Sequence, residues 1–462
     1  MKRRFQFSSL ISRHGRPLRG AAACTTVVLA STLSISALAA TEPIRLQLSL
    51  PPPTGAHDIG TISLHLVDKA RQDPWWSTPH PRELMVNVWY PAGPAVGRWE
   101  LAPWMPSAAL AYYRSNLIDF IEHDPGIITP PPPGGTNPPP PDTTPLEVSL
   151  DGVTFPITSA REGAPVEIPP RQYPVVLFAP GYGHCREHGT TLVEDLASRG
   201  YVVVTISYTY ETEEVEFPGG RVELGRHEPG HDLTGDPIDA LSIRKADTEF
   251  VLDQLAELAH GLNPDAEQRL LPAGLRGCMD LSRIGMFGHS IGGAATAIMM
   301  ANDSRIIAGV NLDGSMIPEN VSPNTGTPEQ IDAGLALLAS RIGDRPFMIM
   351  GDSGRGPYEP GSTNTFYYNL AGWRQFVSLV GSTHGSYTDD EPLLNELAIG
   401  GAIQKVGGGA VSADRWDGTI DPNRAIAAER AYIGAFFDLW LRDSDNHLLD
   451  GPSAEYPEAK FF

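Results

Sequence analysis

Residues 286–297 read MFGHSIGGAATA, and the chemistry of the chain starts there. Gly288-His289-Ser290-Ile291-Gly292 fits G-x-S-x-G, a pattern that exposes a serine hydroxyl on a sharp strand-to-helix turn. That turn is crowded, so small residues must flank the serine. A serine hydroxyl is a weak nucleophile until a base takes its proton. His384, within GSTHGSYTDD, is the candidate base: it follows the last strand-like segment, in a loop from which an imidazole can reach back over the strand ends. Two acids are candidates to orient it. Asp313 ends IIAGVNL within NLDGSM, and Asp352 ends PFMIM within GDSG. Both keep the order serine, acid, histidine, and spacing alone does not choose between them. Negative charge developing on an attacked carbonyl calls for backbone N–H donors. One is expected on Ile291, directly after the nucleophile. The other is expected from the loop PGYGHCREHG (180–189), in which Pro180 has no N–H to give. His289, next to Ser290 in the chain, is expected to pack or hydrogen-bond locally.

For these residues to meet, strands must deliver them to one edge. PVVLFAP (174–180), YVVVTISY (201–208), RIGMF (283–287), IIAGVNL (306–312), PFMIM (346–350) and RQFVSLVGS (374–382) read as strands. Helical segments separate them: TTLVEDLASRG, a stretch near 238–260, AATAIMMA, and a closing amphipathic helix over 425–441. The alternation predicts an α/β fold with a mostly parallel central sheet and helices on both faces. Ligands in such sheets bind beyond the carboxyl ends of the strands. Upstream, GTISLHLVD (60–68) and LMVNVWY (84–90) predict an antiparallel pair at a sheet edge. Residues 101–123 predict a helical segment. With Trp99, Trp104, Met105, Tyr112, Tyr113 and Phe120 it reads either as a lid that touches substrate or a lipid surface, or as a helix packed on the sheet. Residues 125–145 form a proline-rich insertion, exposed and too short to separate two domains.

The chain has 462 residues, 41% hydrophobic and 19% charged, so it has the means to bury a large core. Asp and Glu outnumber Lys and Arg by 55 to 34, for a net charge of −21, which disfavours a nucleic-acid partner. Residues 1–39 read as a signal peptide. Lys2, Arg3, Arg4, Arg13, Arg16 and Arg19 precede an apolar stretch that ends in Ala37-Leu38-Ala39. Export to the cell envelope or medium and a single domain over 40–462 are expected, and Arg3-Arg4 hints at the twin-arginine route. Cys24 leaves with the leader. Cys185 follows one strand and Cys278 precedes another, which places them at opposite edges of the sheet. A five-residue strand spans roughly 17 Å, whereas a disulfide holds its Cα atoms within about 7 Å. Two free thiols are expected, with Cys185 the one to test against thiol reagents.

Three other patterns carry less. HEPGH (227–231) matches H-E-x-x-H, but Pro229-Gly230 breaks the helix that a zinc site needs. HCREH (184–188) lacks an assignable third ligand. The acidic run YETEEVEF (210–217) reads as solvated surface. Neither metal nor cofactor is expected.

From residue 174 to about 390 the chain resembles the secreted platelet-activating-factor acetylhydrolases and their bacterial lipase-like relatives. The matching stretches are PVVLFAPGYG, LASRGYVVV, GMFGHSIGGAAT, GVNLDGSM and GSTHGSYTD. Upstream, LHLVDKARQDPWW and RELMVNVWYPA look like actinobacterial members. The resemblance implies an α/β-hydrolase fold with Ser290, Asp313 and His384 as the triad, since the acid of that family follows the strand after the nucleophile helix. Related polyester hydrolases and many lipases place the acid one strand later, at the position of Asp352. The resemblance also implies Tyr182 as the second oxyanion donor, and carboxylic esters with short acyl groups, acetylated phospholipids among them, as substrates. A polyester or cutinase-type hydrolase and a triglyceride lipase are the enzymatic alternatives. A non-catalytic hydrolase-fold binding protein is the alternative of another kind.

Overall fold

The computed structural model describes residues 45–93, 98–123, 144–167, 172–226, 237–353, 356–357, 362–412, 416 and 418–462. The leader, HEPGH and most of the proline-rich insertion lie outside the described residues. The strands of the main sheet, in chain order, are β1 (Ile59–Gln72), β2 (Pro81–Pro91), β3 (Leu101–Pro103), β4 (Ile157–Glu162), β5 (Tyr173–Ala179), β6 (Val202–Ser207), β7 (Met279–His289), β8 (Ile306–Leu312), β9 (Phe347–Gly351), β10 (Arg374–Leu379) and β11 (Ala459–Phe461). Across the sheet the order is β11-β10-β9-β8-β7-β5-β6-β2-β1-β4-β3. Neighbours from β10 to β6 run parallel, while β11 at one end and β2 next to β6 run antiparallel to them. The predicted antiparallel pair is β1 with β2, but it is not at an edge. β4 pairs parallel with β1, and β3 pairs antiparallel with β4 to form the edge. Those two short strands flank the helical segment and the proline-rich stretch, where the sequence pattern is weakest.

The central strands are buried on both faces, so they read as unbroken apolar runs. In YPVVLFA every residue is buried. Val175, Leu177 and Ala179 face one apolar cluster, while Val176 and Phe178 face the other, as the two-residue period of a strand requires. Residues of helices α3 (Pro237–Ala259), α4 (Ile291–Asn302), α5 (Pro328–Ile342) and α6 (Ser362–Asn369) complete the first cluster. Those of α2 (Thr190–Ser198) and α8 (Pro422–Arg442) complete the second. Each fully buried Val, Leu, Ile or Phe contributes about 1.5–3 kcal/mol, which makes these two layers the main source of stability.

A third cluster lies apart from the sheet. Helix α1 (Ser107–His123) buries Ala109, Tyr113, Leu117 and Ile121, one stripe at helical spacing, against Trp104, Phe155 and the α7 (Asp390–Ile399) residues Leu393 and Leu397. Its first turn is tied down by Glu216, whose carboxylate accepts from the N–H groups of Ala108 and Ala109 at 2.7 and 2.9 Å. The acidic run 210–217 is therefore not a solvated face. Glu211 and Glu214 are buried, as are Tyr210, Val215 and Phe217.

Candidate active site

β7 ends at His289 and α4 begins at Ile291, with Ser290 alone between them at φ 56°, ψ −124°. Non-glycine residues avoid that region, so the surroundings must hold the serine there. The glycines show how closely. A Cβ on Gly288 would overlap the backbone of Gly292, one on Gly292 would overlap the carbonyl of Ala179, and one on Gly293 would overlap Asn311 Oδ1. The motif therefore needs glycine on both sides of Ser290 because strand β5 and the turn after β8 press on it.

That turn carries Asp313, also at positive φ, 52°. Asn311 fixes it: its Oδ1 accepts from Gly314 N at 2.7 Å and its Nδ2 donates to Gly314 O at 2.8 Å. The N–H of Ser290 donates to Leu312 O at 2.9 Å and that of Asp313 to Met350 O at 2.7 Å, so both turns are anchored on neighbouring strands. The Asp313 side chain is fully buried, and its Oδ2 lies 2.6 Å from His384 Nδ1. Asp352 sits beside them and donates its backbone N–H to Asp313 Oδ1 at 3.0 Å.

His384 opens a short helical turn, Gly385–Tyr387. Tyr387 Oη donates to Gly351 O at 2.6 Å, and Thr383 N donates to Ser386 Oγ at 3.0 Å. Further along, the Asp389 carboxylate accepts from the N–H groups of Thr190 and Thr191 at 3.1 and 3.0 Å, docking the loop on the start of α2. The imidazole of His384 remains 40% exposed. With Nδ1 engaged by Asp313, Nε2 is the nitrogen available to a hydroxyl.

His289 packs on His384. Their ring centroids are 4.5 Å apart, and His289 Nε2 donates to the His384 carbonyl at 2.9 Å. Burial, reinforced by the neighbouring imidazole of His384, holds His289 well below the ordinary histidine range. It is neutral, with its proton on Nε2. The stacking continues through His184 to His188, at 5.8 and 4.6 Å. Burial and then His188 push His184 down to about 4. A cavity of about 110 Å³ opens beside these rings, with Tyr113, Phe120, Glu213 and Asp390 among its walls. Ile291 is half-buried at the start of α4, and Tyr182 is half-buried in the loop after β5. Cys185 and Cys278 are both free thiols and both buried. Cys185 donates to Glu214 Oε1 at 3.0 Å, and burial pushes its thiol well above the usual range, so it is not the reactive group its neighbourhood in sequence implied.

Sequence reasoning missed Arg244 and Glu211, a buried pair behind the loop after β5. Arg244 shares the buried face of α3 with Asp247 and Thr248, so its type alone was no signal without its partner. It also missed Asn311, whose place just before Asp313 on β8 was the available clue.

No family model matches the chain. A "Probable 1-alkyl-2-acetylglycerophosphocholine esterase" of Arthroderma benhamiae is 28% identical over 293 residues, 62% of this chain and 66% of that protein. The platelet-activating factor acetylhydrolase of Cavia porcellus is 24% identical over 176 residues, 35% of this chain and 39% of that protein. The chain thus spans less than two thirds of the length of these relatives. A solved ferulic acid esterase from Streptomyces cinnamoneus is 30% identical, with a TM-score of 0.61 over 90% of this chain and 99% of that one. The chain belongs to the α/β-hydrolase esterase family. Ester hydrolysis is what the names of all three relatives share. The turn at Ser290, Asp313 and His384 all stand at the carboxyl edge of the parallel strands. Among the described residues, no helix of this esterase is long and apolar enough to cross a membrane.

Proposed function

We propose that this chain is an exported serine esterase that cleaves carboxylic esters with short acyl groups, acetylated phospholipids among them, through an acyl-enzyme on Ser290. The observation that carries this reading is the 2.6 Å contact of Asp313 Oδ2 with His384 Nδ1, at the sheet edge where Ser290 stands on its strained turn. In the reaction, His384 Nε2 takes the proton of Ser290 Oγ as the oxygen attacks the acyl carbon. The Asp313 carboxylate stabilises the imidazolium that forms. The N–H groups of Ile291 and Tyr182 hold the oxyanion. When the tetrahedral intermediate collapses, His384 returns the proton to the leaving alcohol. Water then repeats the sequence on the acyl-enzyme. The neutral state of His289 supports this assignment, because a second cation against His384 would oppose its protonation. Export rests on the arginine-rich, acid-free leader and its apolar stretch.

The preference for short acyl groups rests on the likeness to the acetylhydrolases. A second reading, esters of hydroxylated aromatic acids, is favoured by the likeness to a ferulic acid esterase. Hydrolysis rates over p-nitrophenyl esters from acetyl to decanoyl, with methyl ferulate alongside, test both. The first reading predicts rates that fall steeply with chain length and a slow ferulate. A fast ferulate supports the second, and a preference for decanoyl contradicts both.

A further inference from the structure

The carbonyl groups of Pro180 and Gly181 both point at one side chain. Arg244, on α3, is 1% exposed. Its Nη1 donates to Pro180 O at 2.6 Å and its Nη2 to Gly181 O at 3.1 Å. Glu211 takes the other edge of the guanidinium: Nε donates to its two oxygens at 3.0 and 2.9 Å, and Nη2 also donates to Oε1. Glu211 is as buried as its partner, so the pair is neutralised in place. The guanidinium carbon lies 4.3 Å from the ring centroid of Tyr208. Tyr208 Oη in turn bonds Thr248 Oγ1 at 3.1 Å, and Thr248 Oγ1 donates to Arg244 O at 2.7 Å. Arg244 thus has an acid on one edge, an aromatic ring on one face and two peptide carbonyls in front.

A trans peptide sets its C=O and N–H on opposite sides of one plane. The Gly181 carbonyl belongs to the same peptide group as the Tyr182 N–H, so turning the carbonyl to Arg244 turns that N–H away from it. The Gly181 N–H is turned away in the same manner by the Pro180 carbonyl. The elbow closes on this segment from another side: a Cβ on Gly292 would overlap the Ala179 carbonyl, and one on Gly181 would come within 2.9 Å of His289 Nδ1. A lysine would present one ammonium where this arrangement needs a fork that reaches two carbonyls and a carboxylate together.

We propose that Arg244, clamped by Glu211, is the positioning residue of the oxyanion site: it fixes the carbonyls of Pro180 and Gly181 so that the N–H of Tyr182 faces the reacting carbonyl. The inference rests on the serine-esterase reading and extends it by giving α3 a part in the reaction.

Arg244→Lys, Arg244→Met and Glu211→Gln, made in the full chain, test it. Each preparation is first titrated with a fluorophosphonate to count reactive Ser290. The expected result is a kcat per titrated site about tenfold to a hundredfold lower, with KM close to that of the parent. Binding of an alkyl boronic acid, which becomes a tetrahedral anion on the serine, weakens by the same factor. If Arg244 only stabilises the fold, the titratable fraction and the melting temperature fall while kcat per site and boronate binding stay at parent values; that result overturns the proposal. Glu211→Gln keeps the arginine and loosens its clamp, so it gives the same readout, smaller in size, if the Arg244 variants do not fold. If Ser290 of the parent does not react with the fluorophosphonate, the serine-esterase reading fails and the proposal falls with it. A normal parent titre with unchanged variants removes the proposal alone.

Discussion

Asp352 donates its backbone N–H to Oδ1 of Asp313 at 3.0 Å, which leaves Oδ2 of Asp313 to His384 at 2.6 Å. The two acids that sequence spacing left open thus stand side by side in different parts. Asp313 meets the imidazole, and the peptide of Asp352 orients Asp313. Asp313→Asn is expected to lower kcat on the order of 10⁴-fold, because the amide favours the wrong imidazole tautomer. Asp352→Asn keeps the backbone donor and is expected to cost far less. Steady-state rates of the two purified variants decide; a crippled Asp352→Asn beside an active Asp313→Asn would reverse the assignment.

The turn at Asp313 also presses on Ser290. A Cβ on Gly314 would overlap the carbonyl of Ser290 and crowd Asn311 Oδ1. Gly314→Ala is therefore expected to push the two strained turns apart. It should cost about 1–3 kcal/mol of stability as an overpacked site and lower kcat more than its effect on the melting temperature explains. Chemical denaturation and kinetics of the same preparation check both; parent values in both would show that the turn has room to spare.

Behind the His384 loop, Glu391 and Glu429 are buried, and burial pushes both carboxyls up, Glu429 further than Glu391, with Glu391 adding to the rise of Glu429. Asp421 adds to the rise of Glu391 and Asp389 to that of Glu429, while Arg430 opposes the latter. In the unfolded chain such groups ionise above roughly pH 4.3. Their contribution is thus complete below that pH and is lost as pH rises toward the folded value, about 8 for Glu391. Glu391→Gln, which needs no proton, is expected to melt higher than the parent at pH 8 and close to it at pH 4. An equal difference at both pH values would contradict the buried, protonated pair.

Both cysteines are expected to resist alkylation in the folded protein. Cys185 is hydrogen-bonded to Glu214, and burial pushes Cys278 up to about 12, so neither supplies thiolate at neutral pH. Mass spectrometry after iodoacetamide treatment, without and with denaturant, should find neither Cys185 nor Cys278 modified in the first case and both in the second. Rapid modification of Cys185 with loss of activity would contradict the burial.

The parallel core was legible because its strands are apolar throughout and separated by helical periods, and the sharp turn at Ser290 because its glycines are dictated by backbone contacts at fixed offsets. His384 and Asp313 were legible as loop residues after strands, though only three-dimensional proximity shows which acid meets the base. Glu211 was hidden because it lies in a run of acids whose composition reads as solvent-facing; α3 supplies the cation that lets it be buried. The edge strand β3 and its neighbour β4 are short and carry exposed apolar residues, Leu101 and Ile157, so no alternation marks them. No local signal joins Arg244 to Pro180, 64 positions apart.

The most direct test is fluorophosphonate labelling of the intact protein, followed by peptide mass spectrometry and an ester-hydrolysis assay on the same sample, with Ser290→Ala as its partner. The account predicts a single adduct on Ser290, loss of hydrolysis in proportion to labelling, and no label on a folded but inactive Ser290→Ala. Hydrolysis at the parent rate by Ser290→Ala, or an adduct on another residue that abolishes activity, would contradict it.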